Sequence, residues 1–246
     1  MSHIEINIRS KAYSAVESAT SNKVIENLKL TLNTNEFVCL VGPSGCGKTT
    51  LLNIIADLDK AYEGQVLVGS NKVPPKIGYI FQNPRLLPWL TVRENIELVL
   101  QEGQSVEDID SLLEVMKLTQ SQHVYPERLS LGMSRRVSII RAFAVNPDVL
   151  LMDEPFVSLD APTARQVREL LLRLWENRPH TVLFVTHDLR EAIALADRIV
   201  FLSAAPMRVV SEISVPLLRV EREKEACIDQ FRQQLLNQYP EIKRLL

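Results

Sequence analysis

Glycine is scarce in this chain of 246 residues: there are 8, and Gly42, Gly45 and Gly47 fall in one short stretch. Cysteine is rarer still. Cys39, Cys46 and Cys227 are odd in number and have no framework spacing, which excludes a disulfide scaffold and favours a reducing compartment. No run approaches the ~18 apolar residues that a membrane span needs. The opening residues alternate rather than forming the apolar core of a signal peptide. A cytosolic chain is therefore expected, with any membrane association coming through a partner. Neither sign of charge dominates: 28 Lys and Arg stand against 30 Asp and Glu, a net charge of −2. Without a basic block there is little to neutralise phosphate backbones, so nucleic acid is not an expected partner. What remains is ordinary for a globular protein, 46% hydrophobic and 24% charged. The length can bury a core without staples, and one compact unit with a sub-domain is the first expectation.

Apolar patterning predicts the elements. Ile4, Ile6 and Ile8 alternate with polar residues, as do Leu28, Leu30 and Leu32, which reads as two half-exposed strands. Residues 14 to 23 are rich in Ser, Thr and Asn and read as a polar loop. Residues 37 to 41 are continuously apolar, as suits a strand buried on both faces. A glycine loop follows, then a helix through Leu51, Leu52, Ile54 and Ile55. Residues 65 to 68 and 77 to 81 read as short strands around a turn at Pro74 and Pro75. Residues 91 to 146 read as mostly helical. Thr91 with Glu94 makes a capping box, Ser105 with Asp108 resembles one, and a third helix starts after Ser130 and stops before Pro147. Apolar strands return at 149 to 152, 182 to 185 and, as the last core strand, 199 to 202. Helices run between them, one capped by Asp160. This alternation predicts an α/β fold with a parallel sheet and an inserted helical block. Residues 219 to 246 read as one amphipathic helix, with Ile228, Phe231 and Leu235 on the face that packs on that sheet.

Two stretches carry chemistry. Gly42, Pro43, Ser44, Gly45, Cys46, Gly47, Lys48 and Thr49 fit G-x-x-x-x-G-K-[ST], after a buried strand and before a helix. Glycines let backbone N–H groups wrap a polyphosphate, and the helix N-terminus adds its positive dipole end. Lys48 suits the β- and γ-phosphates, and the Thr49 hydroxyl suits Mg²⁺. Asp153 and Glu154 end an apolar strand, where a parallel sheet presents its ligand-binding edge. Asp153 suits holding Mg²⁺ and Glu154 suits accepting a proton from an attacking water.

Residues 42 to 49, Gln82, Ser130-Leu131-Gly132, Asp153-Glu154, Ser158-Leu159-Asp160 and His187 together resemble the nucleotide-binding subunit of an ABC transporter, in order and spacing, from residue 4 to about 202. The resemblance implies a P-loop NTPase core with a parallel sheet, an N-terminal antiparallel β subdomain and an inserted helical subdomain. It implies one ATP-binding domain over residues 1–246, with the helical part at about 88–146 and a C-terminal helix at about 219–240. ATP and Mg²⁺ follow. Gln82 would reach Mg²⁺ and link the core to the helical part. His187 would contact the γ-phosphate, Thr50 would join the phosphate site, and Tyr13 would stack on adenine. Asp160 would meet a second ATP-binding subunit, identical or paralogous, and can also be the N-cap of its helix. Ser130 and Gly132 would close on ATP held by that second subunit. Leu131 replaces the first glycine of the family's Leu-Ser-Gly-Gly-Gln, and Met133 replaces its glutamine. If the turn needs φ > 0, Leu131 strains it, and a working but slower site is the expectation.

Leu86, Leu87, Pro88 and Trp89, after Gln82, resemble the nitrate, taurine, alkanesulfonate and bicarbonate importers of bacteria. That implies an ATPase powering uptake of a small anionic solute. The subunit would lie peripherally on the cytoplasmic face of the inner membrane. It would dock on permease subunits through an exposed patch at residues 86 to 89 and be served indirectly by a solute-binding protein. Two alternatives stay open: a soluble ABC ATPase outside transport, of the iron–sulfur assembly type, and a non-hydrolysing regulatory subunit.

Overall fold

The computed structural model describes residues 3–13, 22–68, 75–100 and 106–245. The chain forms two compact units, residues 1–74 with 181–246, and residues 75–180.

The first unit holds two sheets. β1 (Ile4–Tyr13) pairs antiparallel with both β2 (Asn22–Leu32) and β4 (Glu63–Val68), in the order β2-β1-β4. Ile4, Ile6 and Ile8 of β1 face inward with Leu28, Leu30 and Leu32 of β2, as the alternation requires. The second sheet runs β7-β3-β8-β9. β3 (Phe37–Val41) is buried along its whole length between β7 (Thr181–Thr186) and β8 (Arg198–Leu202), parallel to both. Phe37, Phe184 and Phe201 fill the core here, Phe37 meeting Phe184 edge-on at 6.4 Å. α1 (Lys48–Ile55) buries Leu51, Leu52, Ile54 and Ile55, and α6 (Leu189–Leu195) packs against β3 and β7.

The second unit pairs β5 (Ile77–Ile80) in parallel with β6 (Val149–Asp153). Around them lie α2 (Val92–Glu97), α3 (Val106–Val115), α4 (Leu131–Ala144) and α5 (Ala161–Asn177). Local signals start these helices where they were expected. The Thr91–Glu94 capping box is formed at α2, Ser130 Oγ accepts from Met133 N at 3.2 Å at α4, and Asp160 accepts from Thr163 N at 3.2 Å at α5. Each such cap is worth about 1 kcal/mol. Ile109, Leu113 and Met116 of the predicted stripe are buried.

Three features differ from expectation. Asn22 and Lys23 belong to β2 rather than to a loop. Residues 199–202 are the last buried strand, as expected, but an unanticipated β9 (Val209–Ser214) adds an antiparallel edge to β8, so the sheet is mixed. Its alternation, Val209 and Ser211 and Ile213 half-buried against exposed neighbours, is the edge-strand pattern, which the short apolar content obscured. The tail is three elements rather than one helix: a 3₁₀ turn at Arg219–Glu223, α7 (Glu225–Gln238) and a 3₁₀ turn at Ile242–Arg244. Arg222 makes the break, turning its guanidinium back to the carbonyls of Ala196 and Leu217 at 2.6 and 2.9 Å, and α7 packs on α6. The remaining expectations at residues 14–21, Pro74 and Ser105 lie outside the described residues.

Candidate nucleotide site

The phosphate loop is built by backbone geometry. β3 ends at Val41, residues 42–47 turn, and Lys48 opens α1. Gly45 has φ of +75° and Gly47 of +110°, a region that side-chain-bearing residues enter at a cost. A Cβ on Gly47 would also meet Val24 Cγ1 at 2.5 Å. Gly47 supplies no side-chain cap, so the N-terminal amides of α1 keep their capacity to bind an anion. Lys48 is buried, and its Nζ donates to the carbonyls of Gly42 and Pro43, both at 2.8 Å. The ammonium is thus held over the loop, with Cys46 Sγ 3.9 Å away. Burial pushes the Cys46 thiol up, against the pull of the Lys48 charge, so it stays protonated packing rather than a reactive thiolate. Ser44, Gly45 and Thr49 are exposed at the crest.

Strand register brings His187 alongside. Val41 pairs with Thr186, so Gly42 and the exposed His187 leave neighbouring parallel strands at the same end. Thr186 Oγ1 donates to Glu191 Oε2 at 2.6 Å and accepts from Asp188 N at 3.0 Å, fixing the turn after β7. Tyr13 also reaches this region. Its hydroxyl lies 3.4 Å from Thr50 Oγ1 and donates to Asp59 Oδ2 at 3.2 Å. Lys11 covers the Tyr13 ring at 4.4 Å while bonded to Asp59 Oδ1 and Ala61 O at 2.8 and 2.9 Å. A ring so propped presents a surface suited to a planar base. Lys11 and Asp59 carry this prop and were not anticipated. The alternation of Ile4, Ile6 and Ile8 puts position 11 on the outward face, and the register shift between Ile8 and Ser10 brings it inward, so the pattern carried no signal for it.

In the second unit, Ile80 of β5 pairs with Met152 of β6, so Gln82 and the Asp153–Glu154 pair emerge at one end. Gln82 Nε2 lies 3.5 Å from Glu154 Oε2. Glu154 takes a φ of +43°, a conformation that points a carboxylate sharply out of the strand line. Asp153 is 4% exposed. Burial pushes the Tyr79 phenol far up, and the Asp153 charge adds to that push while Arg85 opposes it. The oxygens of Asp153, the Gln82 amide and the Thr49 hydroxyl are hard donors, the type Mg²⁺ takes. Among the described residues no cluster of three or more His, Cys, Asp or Glu could hold a metal by itself.

Gly132 and Asp160 meet elsewhere in the second unit, at Thr163, and Ser130 lies two residues before Gly132 as the cap of α4. Asp160 caps α5 through Thr163, whose hydrogen bonds hold the carboxyl below its usual range. A Cβ on Gly132 would meet Thr163 Cγ2 at 2.6 Å. Close packing of α4 on α5 therefore favours this glycine, since a Cβ would have to displace the Thr163 methyl, independently of any phosphate. Leu131 is the first residue of α4 and is absent from the residues with positive φ. The expected backbone strain does not exist: the position is helical, its side chain is 44% exposed, and leucine suits it.

The residues 86–89 patch is only partly as expected. Trp89 is 69% exposed, but Leu86 and Leu87 are half-buried. Asn95, fully buried, ties the backbone here: its side chain bonds Leu87 N and the carbonyls of Leu87, Leu90 and Thr91 at 2.8 to 3.1 Å. Arg135 and Arg141 also bind this region, through carbonyls between Phe81 and Arg85. None of the three was singled out beforehand. A signal existed for Arg135, which shares a helical face with Ile139 and Ala142 and so falls on the buried stripe.

Comparison with known proteins agrees with this geometry. Residues 25–157 match the family model described as ABC transporter. The chain is 39% identical to the aliphatic sulfonates import ATP-binding protein SsuB of Bacillus subtilis (strain 168), over 98% of this chain and 96% of that one. It is 39% identical to the nitrate import ATP-binding protein NrtD of Synechococcus elongatus, over 85% and 80%. A bacterial ABC transporter cassette solved as a dimer superposes with a TM-score of 0.75 at 33% identity, over 87% of this chain and all of that one. A post-hydrolysis cassette dimer bound to ADP and phosphate gives 0.74 at 31% identity, with the same coverage.

Proposed function

Because the chain belongs to the ABC transporter family, as its ATP-binding cassette, we propose that it hydrolyses ATP to power an importer of a small anionic solute. The observation that carries this is the phosphate loop itself, with two left-handed glycines, a buried Lys48 and an uncapped α1 behind them. The sulfonate and nitrate importers to which the chain is similar both serve anions. The whole chain is one cassette, residues 88–146 forming its helical subdomain.

Each residue then has one task. The amides of residues 42–47 and of the first turn of α1, with Thr50, bind the phosphates, and the Lys48 ammonium exchanges its two carbonyls for phosphate oxygens. Tyr13 stacks on the base. Thr49, Asp153 and Gln82 would supply oxygens to Mg²⁺, which when bound with ATP would neutralise phosphate charge. Glu154 accepts the proton of the attacking water at its carboxylate, and His187 contacts the γ-phosphate. Ser130, Gly132 and Asp160 face a second cassette. No helix among the described residues is long and apolar enough to cross a membrane. The assembly therefore reaches the membrane through permease subunits on the cytoplasmic face, and the exposed Trp89 is the anchor offered to them.

Glu154→Gln tests the reading. Removing the base should lower turnover by about 10²–10⁴-fold while ATP binding persists. Steady-state hydrolysis and nucleotide titration measure both, and a variant with wild-type turnover would overturn the assignment.

A further inference from the structure

The loop that presents Gln82 is held by two arginines of one helix. Arg135 of α4 is 2% exposed, and its Nη1 donates to the Phe81 carbonyl at 3.0 Å. Its Nε finds no hydrogen-bond partner among the described residues. Six residues on, Arg141 donates from Nη2 to the Pro84 carbonyl at 2.8 Å and from Nη1 to the Arg85 carbonyl at 3.0 Å. The loop is therefore gripped on both sides of Gln82, at 81 and at 84–85. It needs that grip: Arg85 sits at a φ of +49° and lays its guanidinium over the Phe81 ring at 4.1 Å, a turn no strand ladder maintains.

A buried guanidinium is costly, and one bond to a neutral carbonyl does not offset its lost hydration. Burial accordingly depresses the basicity of both arginines. An apolar side chain would fill the same volume at lower cost. What a guanidinium adds is direction, since its planar donors fix carbonyls at set angles. The carbonyls fixed here flank the residue whose amide lies 3.5 Å from Glu154 Oε2. The same helix begins at Ser130, which caps it through Met133 N.

We propose that Arg135 and Arg141 are positioning residues for ATP hydrolysis. By pinning the backbone on both sides of Gln82 they set where its amide meets Glu154, and they make that position follow the orientation of α4 and hence of Ser130. This rests on the ATPase reading above. The arginines touch neither substrate nor metal in this scheme; they act through Gln82.

Steady-state hydrolysis of MgATP by the full chain tests it, comparing Arg135→Gln, Arg141→Gln, Gln82→Ala and the two double variants. Mispositioning should lower kcat about tenfold or more in each arginine variant, with KM for ATP changed by less than about twofold. Because both routes act through one amide, each double variant should be no slower than its slower parent. A merely structural role would instead multiply the losses. Should Arg135→Gln fail to fold, Arg141→Gln, at a half-buried position, carries the same comparison. Wild-type kcat in the arginine variants with an impaired Gln82→Ala would overturn this inference alone, as would multiplying losses. Wild-type kcat in Gln82→Ala would bring down the role of Gln82, and this inference with it.

Discussion

The loop at residues 42–47 is shaped by its own backbone, whereas the loop at residues 81–85 is shaped by side chains from other elements. In the first, Gly45 and Gly47 take left-handed conformations, and Lys48 folds back onto the carbonyls of Gly42 and Pro43, six and five residues before it. In the second, no glycine turns the chain. Arg135 and Arg141 reach it from more than fifty positions away, and Asn95 secures the residues beyond it. A site for an anion wants amide dipoles held close, and a short run of glycine provides them cheaply. A site that must report the orientation of another helix wants contacts to that helix, and those come only from distant residues.

Three tests probe that contrast. The largest effect is expected at Lys48→Ala. It removes a charge-assisted partner worth about 1.5–3 kcal/mol, so ATP affinity should fall about 10- to 100-fold. Thermal melting should change little, because the loop keeps its glycine geometry. Nucleotide titration alongside melting separates the two, and a variant that binds ATP normally would end the assignment of Lys48 to the phosphates.

The second test is paired. Gly132→Ala places a Cβ against Thr163 Cγ2 and should destabilise the protein by about 1–3 kcal/mol, the usual range for overpacking. Thr163→Ser in the same chain removes that methyl and should restore melting. Leu131→Gly, one residue earlier, should leave turnover unchanged, since Leu131 carries no strain to relieve. A faster Leu131→Gly enzyme would show that the α4 start differs in the working state.

The smallest effect concerns pH. His180 is buried, with Nδ1 2.8 Å from the Arg178 carbonyl, Nε2 unpartnered among the described residues, and the ring edge-on to Phe143 at 5.1 Å. Burial lowers its pKa from 6.5, with the Arg178 carbonyl opposing. The unfolded chain therefore takes up this proton first. The stability contributed by neutral His180 is complete above about pH 6.5 and is lost as pH falls toward the lower folded value. His180→Phe should flatten the acid side of the melting-temperature profile relative to wild type. Parallel profiles would assign the acid sensitivity to other groups.

Much of the molecule was legible from local pattern. Residues 37–41 are apolar without interruption, and they form β3. Thr91, Ser130 and Asp160 are cap residues, and each caps a helix. These signals act within a few residues, so the sequence displays them directly. β9 escaped because an edge strand buries too little to need an apolar run, and the tail broke because Arg222 found carbonyls at the far end of α6. Leu131 looked like a defect beside a family pattern, yet its backbone is an ordinary helix start, and Gly132 owes its place partly to Thr163.

The sequence by itself determined the phosphate loop, the buried strands that deliver Asp153 and His187 to strand ends, and the caps that start the helices. Each depends on φ preferences, alternation or a hydrogen bond spanning at most a few residues. The rest came from tertiary contacts: Arg135 and Arg141 grip the Gln82 loop, Asn95 ties the backbone at Leu87 and Leu90, and Lys11 props Tyr13 through Asp59. Those contacts join residues from about five to more than fifty positions apart. Their partners are mostly backbone carbonyls, which every residue carries and which no side-chain pattern can announce.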